Sequence, residues 1–230
     1  MRIQLLGNCS VLLTTEQGEI ILDPYFSNKG NPMFRRGTPV SEDYQKIEKL
    51  DGILLSHEHF DHMDIKFIKR FKGKCPLYGP LGIKGLFYGR NTVRQGDKFS
   101  IKDMEITVVK AKHVCPAVGY IIKAENKTIY FAGDTYYRDF MKDIAERFTI
   151  DIAIMPVTNY TPAMTMDKYQ AAKALEILKP KHFIPMHKDL VKRINPKDCT
   201  VTKGELAEVL EKLKDSINLV YLENGQEFKY

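Results

Sequence analysis

An α/β architecture of stacked layers, with two sheets face to face and helices on the outside, is predicted by three features of this sequence. Each half of the chain carries a run of short β signals. Helical spacing punctuates those strands instead of following them as one block. Of the 230 residues, 43% are hydrophobic, enough for one substantial core. The same composition excludes a disordered chain. No Gly-X-Y period, sustained heptad or longer self-similarity points to a fibrous or repeat protein. One domain over residues 1–230 is expected.

Residues 3–6, 9–15 and 19–23 read as three short strands, with Thr15-Glu16-Gln17-Gly18 turning between the last two. Asp23-Pro24 ends this meander. Residues 25–40 mix Asn, Gly, Pro, Arg and aromatics without periodicity, which predicts a long loop of the kind that covers a site. Residues 42–50 have helical spacing, and 52–56 form a short apolar run suited to a buried strand. Residues 64–71 suit an amphipathic helix whose Lys66, Lys69 and Arg70 form a solvated face. A second run of strands follows over 98–101, 105–111, 119–124 and 128–132. Residues 137–148, 167–178 and 204–215 carry helical spacing, with Asp167 and Gln170 as a capping pair. Strand signals recur at 152–157, 182–185 and 219–222.

The charge balance is mildly basic, with 35 Lys and Arg against 29 Asp and Glu, a net +6. That suits a small anionic substrate. No Lys/Arg-rich block supplies a nucleic-acid module. Without a signal-peptide pattern or a window of 18 apolar residues, a soluble cytoplasmic chain with no membrane contact is expected. Cys9, Cys75, Cys115 and Cys199 are scattered with no C-x-x-C pair, which argues against a zinc ribbon or a disulfide framework. Neither Gly-x-Gly-x-x-Gly nor a P-loop is present.

The chemistry concentrates after the apolar run, where Ser56-His57-Glu58-His59-Phe60-Asp61-His62 gathers three of the six histidines with two carboxylates. Imidazole nitrogen and carboxylate oxygen are donors that zinc and similar divalent ions accept. In extended backbone His57 and His59 point to the same side and can share an ion, while Asp61 and His62 lie beyond the strand and can turn toward a second. His113, Asp134 and His187 each follow a predicted strand. The competing reading is a polar loop with coincidental histidines, and so dense a set of donors argues against it.

Taken together, His57, His59, Asp61, His62, His113, Asp134 and His187 resemble the ligand set of the metallo-β-lactamase superfamily, over a match from Gly7 to His187. The segments Gly7-Asn8-Cys9-Ser10-Val11-Leu12-Leu13, Ile21-Leu22-Asp23-Pro24, Ile129-Tyr130-Phe131-Ala132-Gly133-Asp134-Thr135 and Ile184-Pro185-Met186-His187 resemble the branch containing ascorbate-phosphate lactonase and related hydrolases. The resemblance implies a four-layer αβ/βα sandwich. It also implies that His57, His59 and His113 hold one metal, that Asp61, His62 and His187 hold another, and that Asp134 bridges them. Asp23 then stands behind the ligands, and Asn8 occupies a position where many members carry His.

The activity so implied is hydrolysis of an ester, lactone or phosphoester in a small anionic substrate, by a water shared between two divalent ions. Zinc is the expected metal, with manganese or iron as alternatives, and Asp61 and Asp134 are the catalytic carboxylates. A phosphodiesterase or nuclease, and a mono-iron dioxygenase of the same fold, are the alternative activities. Tyr160 and Arg35 are the candidate substrate contacts. His182, which begins the strand that His187 follows, is expected to be structural. A homo-oligomer is compatible with all of this.

Overall fold

The computed structural model describes residues 1–27, 34–82, 89–161, 163–193 and 197–230. One sheet runs, in spatial order, β16 (Glu227–Lys229), β1 (Arg2–Gly7), β2 (Ser10–Thr14), β3 (Glu19–Leu22), β5 (Gly52–Leu54), β6 (Leu77–Gly79) and β7 (Arg90–Thr92). The other runs β15 (Asn218–Leu219), β13 (His182–Met186), β12 (Ile152–Pro156), β11 (Lys127–Phe131), β10 (Val118–Ala124), β9 (Met104–Lys110) and β8 (Lys98–Ile101). A two-stranded ribbon joins β4 (Phe34–Arg36) to β14 (Leu190–Lys192).

Alternation along each strand produces the layers. In β2, Val11 and Leu13 enter the core between the sheets, whereas Leu12 faces outward into a second apolar cluster. In β11, Ile129 and Phe131 point to the shared core, and Tyr130 points to the helical side. These strands are apolar on both faces because both faces are covered. Helix α1 (Ile65–Phe71) covers the first sheet by burying Phe67, Ile68 and Phe71, each worth about 1.5–3 kcal/mol. Its exposed residues include Lys66, Lys69 and Arg70, as the spacing predicts, and Asp64 caps it by accepting from the Phe67 amide at 3.0 Å. The second sheet is covered by α2 (Phe140–Arg147), α3 (Lys168–Leu178) and α4 (Lys203–Val209). The result is the expected αβ/βα sandwich.

The departures are local. Residues 42–50 form only a 3-10 turn, Glu42–Lys46, because the chain then extends so that Ile47 and Leu50 can bury before β5. The segment 25–40 is not all loop: β4 lies within it, while residues 28–33 fall outside the described residues. Strands β6, β7, β14 and β16, each three residues long, carry no readable period. The signal at 219–222 shortens to β15, and that at 204–215 divides into α4 and a 3-10 turn, Glu211–Leu213.

Strands β3, β5 and β6 run parallel, as do β11, β12 and β13. Strand β9, two antiparallel steps from β11, shares the latter's direction. The C-terminal ends of β3, β5, β9, β11 and β13 therefore deliver the residues that follow them to one edge of the sandwich.

Candidate metal centre

The loop leaving β5 is held on both sides. Val118 donates its amide to Ser56 O at 2.9 Å, and the His62 amide closes a turn onto His59 O at 3.1 Å. Glu58 points away from the cluster and pairs with the buried Arg90 guanidinium, which also donates to Gly82 O at 2.8 Å.

Two groups of donors result. His57, His59 and His113 place one ring nitrogen each within 4.8 Å of the others, with His113 Nε2 3.0 Å from His59 Nδ1. His62, Asp134, His187 and Cys9 form the second group by the same measure. Asp61 joins it through Oδ2, 3.2 Å from His187 Nε2 and 3.7 Å from His62 Nε2, and Asp134 Oδ2 lies 3.5 Å from each of those two nitrogens. The groups adjoin, since the His57 and His62 ring centroids are 4.1 Å apart. All seven predicted ligands are thus brought together.

Proton accounting shows which way the rings face. Asp23, fully buried, accepts from the Ser56 amide through Oδ1 and from the Ser56 hydroxyl through Oδ2, both at 2.6 Å. Having donated its hydrogen, the Ser56 oxygen accepts from His57 Nδ1 at 2.9 Å, and Asp23 Oδ2 accepts from His62 Nδ1 at 2.8 Å. With the proton on Nδ1, both rings turn Nε2 into the donor cluster. Those two atoms and Asp134 Oδ1 are buried without a hydrogen-bond partner. Buried acceptors with nothing to accept from are costly, and a cation satisfies them. The residues fit a divalent metal, and Asp23 stands behind the ligands as expected.

The electrostatics are those of a site that calls for a cation: Cys9, Asp134 and Asp61 outweigh burial and raise His62 well above the usual imidazole range. Burial holds His57 well below the usual imidazole range and pushes His113 down to about 4, so both are neutral donors at pH 7. Burial opposes charge on Asp61 and Asp134, yet the neighbouring His62 and His187 more than offset it and hold both carboxyls below their usual range. His187 is raised because Asp134 and Asp61 outweigh its burial. The cluster draws positive charge to this spot.

Three unusual backbone positions build the site. Gly133 has φ +57°, and a Cβ there would stand 2.3 Å from Ser56 Cβ, so only glycine lets Asp134 approach. Asp23 and His187 adopt φ 45° and 59°, uncommon for non-glycine residues. His187 is held there by donating its amide to Asn8 O at 3.0 Å, and the Asn8 side chain is buried with both polar atoms unpartnered. Cys9, set aside by the sequence reading because it has no cysteine partner, sits beside the second group. The strand expected over 9–15 begins only at Ser10, which leaves Cys9 just outside it.

A cavity of about 170 Å³ opens onto His59, Asp61, Asp134 and His187, walled by residues that include Phe34, Tyr160, Met164 and Leu190. Tyr160 lines it as expected, edge-on to Phe34 at 5.8 Å between centroids. Arg35 does not: it is exposed and absent from the described lining. The period-2 alternation of β4 turns Phe34 and Arg36 inward and Arg35 out, a consequence of pairing with β14 that a loop assignment could not supply. Arg36 donates to Tyr25 O at 2.6 Å and Ser27 O at 3.1 Å. His182 lies at the far end of β13, 3.1 Å from Asn218 Nδ2 and packed on Phe228, outside both donor groups.

The family model described as beta-lactamase superfamily domain matches residues 19–188. The chain is 32% identical over 226 residues to a metal-dependent hydrolase of Pyrococcus furiosus, covering 91% of this chain and 95% of that protein. It is also 32% identical over 206 residues to a metal-dependent hydrolase of Koribacter versatilis, covering 81% and 84%. Among solved structures, the isothiocyanate hydrolase from Delia radicum gut bacteria superposes with a TM-score of 0.81 at 17% identity, covering 100% of this chain and 99% of that one. That last likeness is one of fold.

Proposed function

The chain belongs to the metallo-β-lactamase superfamily as a metal-dependent hydrolase, and from that premise we propose a binuclear enzyme that cleaves a carboxylic ester, lactone or phosphoester. His57 Nε2, His59 Nδ1 and His113 Nε2 would hold one ion, Asp61, His62 and His187 would hold the other, and Asp134 would serve both. Nitrogen and carboxylate donors of this kind suit zinc, with manganese or iron as substitutes. When bound, such a pair supplies an acidified water and polarises the scissile carbonyl or phosphoryl group.

The protein's own contribution is orientation and proton handling. Asp23 keeps the protons of His57 and His62 on Nδ1, directly for one ring and through Ser56 for the other, which leaves both Nε2 atoms free to ligate. Asp61 lines the cavity and carries the carboxylate placed to orient the attacking water and receive its proton. The departing oxygen is then protonated, giving acid and alcohol, or phosphate and alcohol.

The single observation carrying this reading is the set of buried, unpartnered acceptors at His57 Nε2, His62 Nε2 and Asp134 Oδ1. Hydrolysis of lactones, aryl esters and phosphodiesters should vanish on dialysis against a chelator and return with zinc. Turnover that survives complete metal removal would overturn it. The anionic substrate expected from the net charge finds no support in the cavity, whose described lining includes no Lys or Arg.

A further inference from the structure

We infer that the substrate is an uncharged molecule carrying an aryl group beside its hydrolysable carbonyl, an inference that rests on the hydrolase reading above. The wall facing the donor cluster is aromatic and aliphatic: Phe34, Phe60, Tyr160, Met164 and Leu190, with Thr158 adding a hydroxyl. An apolar cavity of about 150 Å³ takes one benzene ring. This one, at about 170 Å³, is of the size that accepts one ring.

Charge points the same way. The histidines and carboxylates of the described lining are Asp61, Asp134, His59 and His187, all assigned to the metals, and its one other titratable group is the Tyr160 phenol. The basic residues nearby are occupied elsewhere or turned out. Lys192 lies over the Tyr160 ring at 5.2 Å and donates to Thr161 Oγ1 at 3.1 Å, Arg36 donates to backbone carbonyls through Nε and Nη2 and is absent from the described lining, and Arg35 faces solvent. A carboxylate or phosphate on the distal part of a substrate would lose its hydration against this wall with no cation among its described residues in return. An aryl ring instead buries apolar surface and can stack edge-on against Phe34 and Tyr160.

Phe60 fits the same role. It lies between His59 and Asp61, is 64% exposed, and still lines the cavity, an apolar side chain presented at the mouth of the site. In the reaction the acyl C–O bond breaks, water's oxygen joins the acyl carbon, and its protons end on the carboxylic acid and the departing alcohol.

The test uses two esters of equal shape and opposite charge state, 4-carbamoylphenyl acetate and 4-carboxyphenyl acetate, with zinc-loaded protein. The neutral ester should show kcat/KM at least about tenfold higher. Tyr160→Ala should raise KM for it more than for ethyl acetate, and Arg35→Ala should leave the preference intact. Preference for the carboxylate, or none, overturns the inference. Binding of the non-hydrolysable amides 4-acetamidobenzamide and 4-acetamidobenzoate, measured by calorimetry, separates the two claims. Selective binding of the neutral amide without turnover of either ester retains the substrate class and sinks the hydrolase reading. Turnover that favours the anion does the reverse. Neither binding nor turnover sinks both.

Discussion

At the scale of single residues, Asp23 and the two histidines at either end of β13, His182 and His187, carry the sharpest expectations. Asp23 has a left-handed backbone that Asn tolerates, so Asp23→Asn changes the charge with little strain. Losing the carboxylate that fixes His62 and Ser56 should weaken metal binding about 10- to 100-fold with the circular dichroism spectrum unchanged. Unchanged affinity would remove Asp23 from the account. His187→Ala should shed one metal and most activity, whereas His182→Gln, at the far end of the same strand, should keep both. Metal counts reversed between the two variants would show the assignment to be wrong. The seven donors were legible because ligation restricts residue type and each donor sits just outside a recognisable strand. Arg35 was misplaced because a loop assignment carries no facing. Cys9 was not legible because it falls inside the predicted strand 9–15, while its neighbours here are His62, Asp134 and His187.

At the scale of elements, the contacts that matter outside the site are caps and short ribbons. Helix α4 begins with a capping box, in which Thr202 and Glu205 exchange hydrogen bonds at 2.8 and 3.2 Å, and Lys168 at the start of α3 reaches Glu205 Oε1 at 2.5 Å. The lysine, with the Thr202 amide, holds Glu205 down to about 2. A folded-state pKa below the unfolded one contributes stability that is complete above about pH 4.5 and is lost as pH falls toward 2. Glu205 is partly exposed, so screening keeps the effect small: Glu205→Gln should cost about 1 kcal/mol in urea unfolding at pH 7. That cost should shrink steadily below pH 4.5, and a constant cost down to pH 2 would contradict the assignment. Helices α1 and α3 were readable from spacing, and α3 also from Asp167, which does cap, as Asp64 does at α1. The β4–β14 ribbon was not, since its partners are more than 150 residues apart in sequence and three residues long. It matters nonetheless, because it brings Phe34 and Leu190 into the cavity wall.

At the scale of the molecule, the donor cluster is shared between the two sheets. Asp23 and the His57–His62 run follow strands of one, and His113, Asp134 and His187 follow strands of the other. The site exists only when the sheets are packed over their common core, so metal binding and folding are coupled. Zinc at about 100 times its dissociation constant should add about 2.7 kcal/mol to stability per independent site, read as a rise in Tm that a chelator reverses. The layered class was legible because apolar alternation in both halves demands two covered sheets. Strand order at the edges was not: β16 closes the first sheet against β1 through Arg2↔Lys229, a pairing of the two chain ends with no local signature. The central claim is that seven side chains hold two ions with Asp134 between them. Elemental analysis of zinc-reconstituted, dialysed protein tests it most directly. Two zinc ions per chain in the native sequence, falling to one or none in Asp134→Ala with folding retained, is the result this account predicts. One ion per chain in the native protein, or two retained in Asp134→Ala, would contradict it.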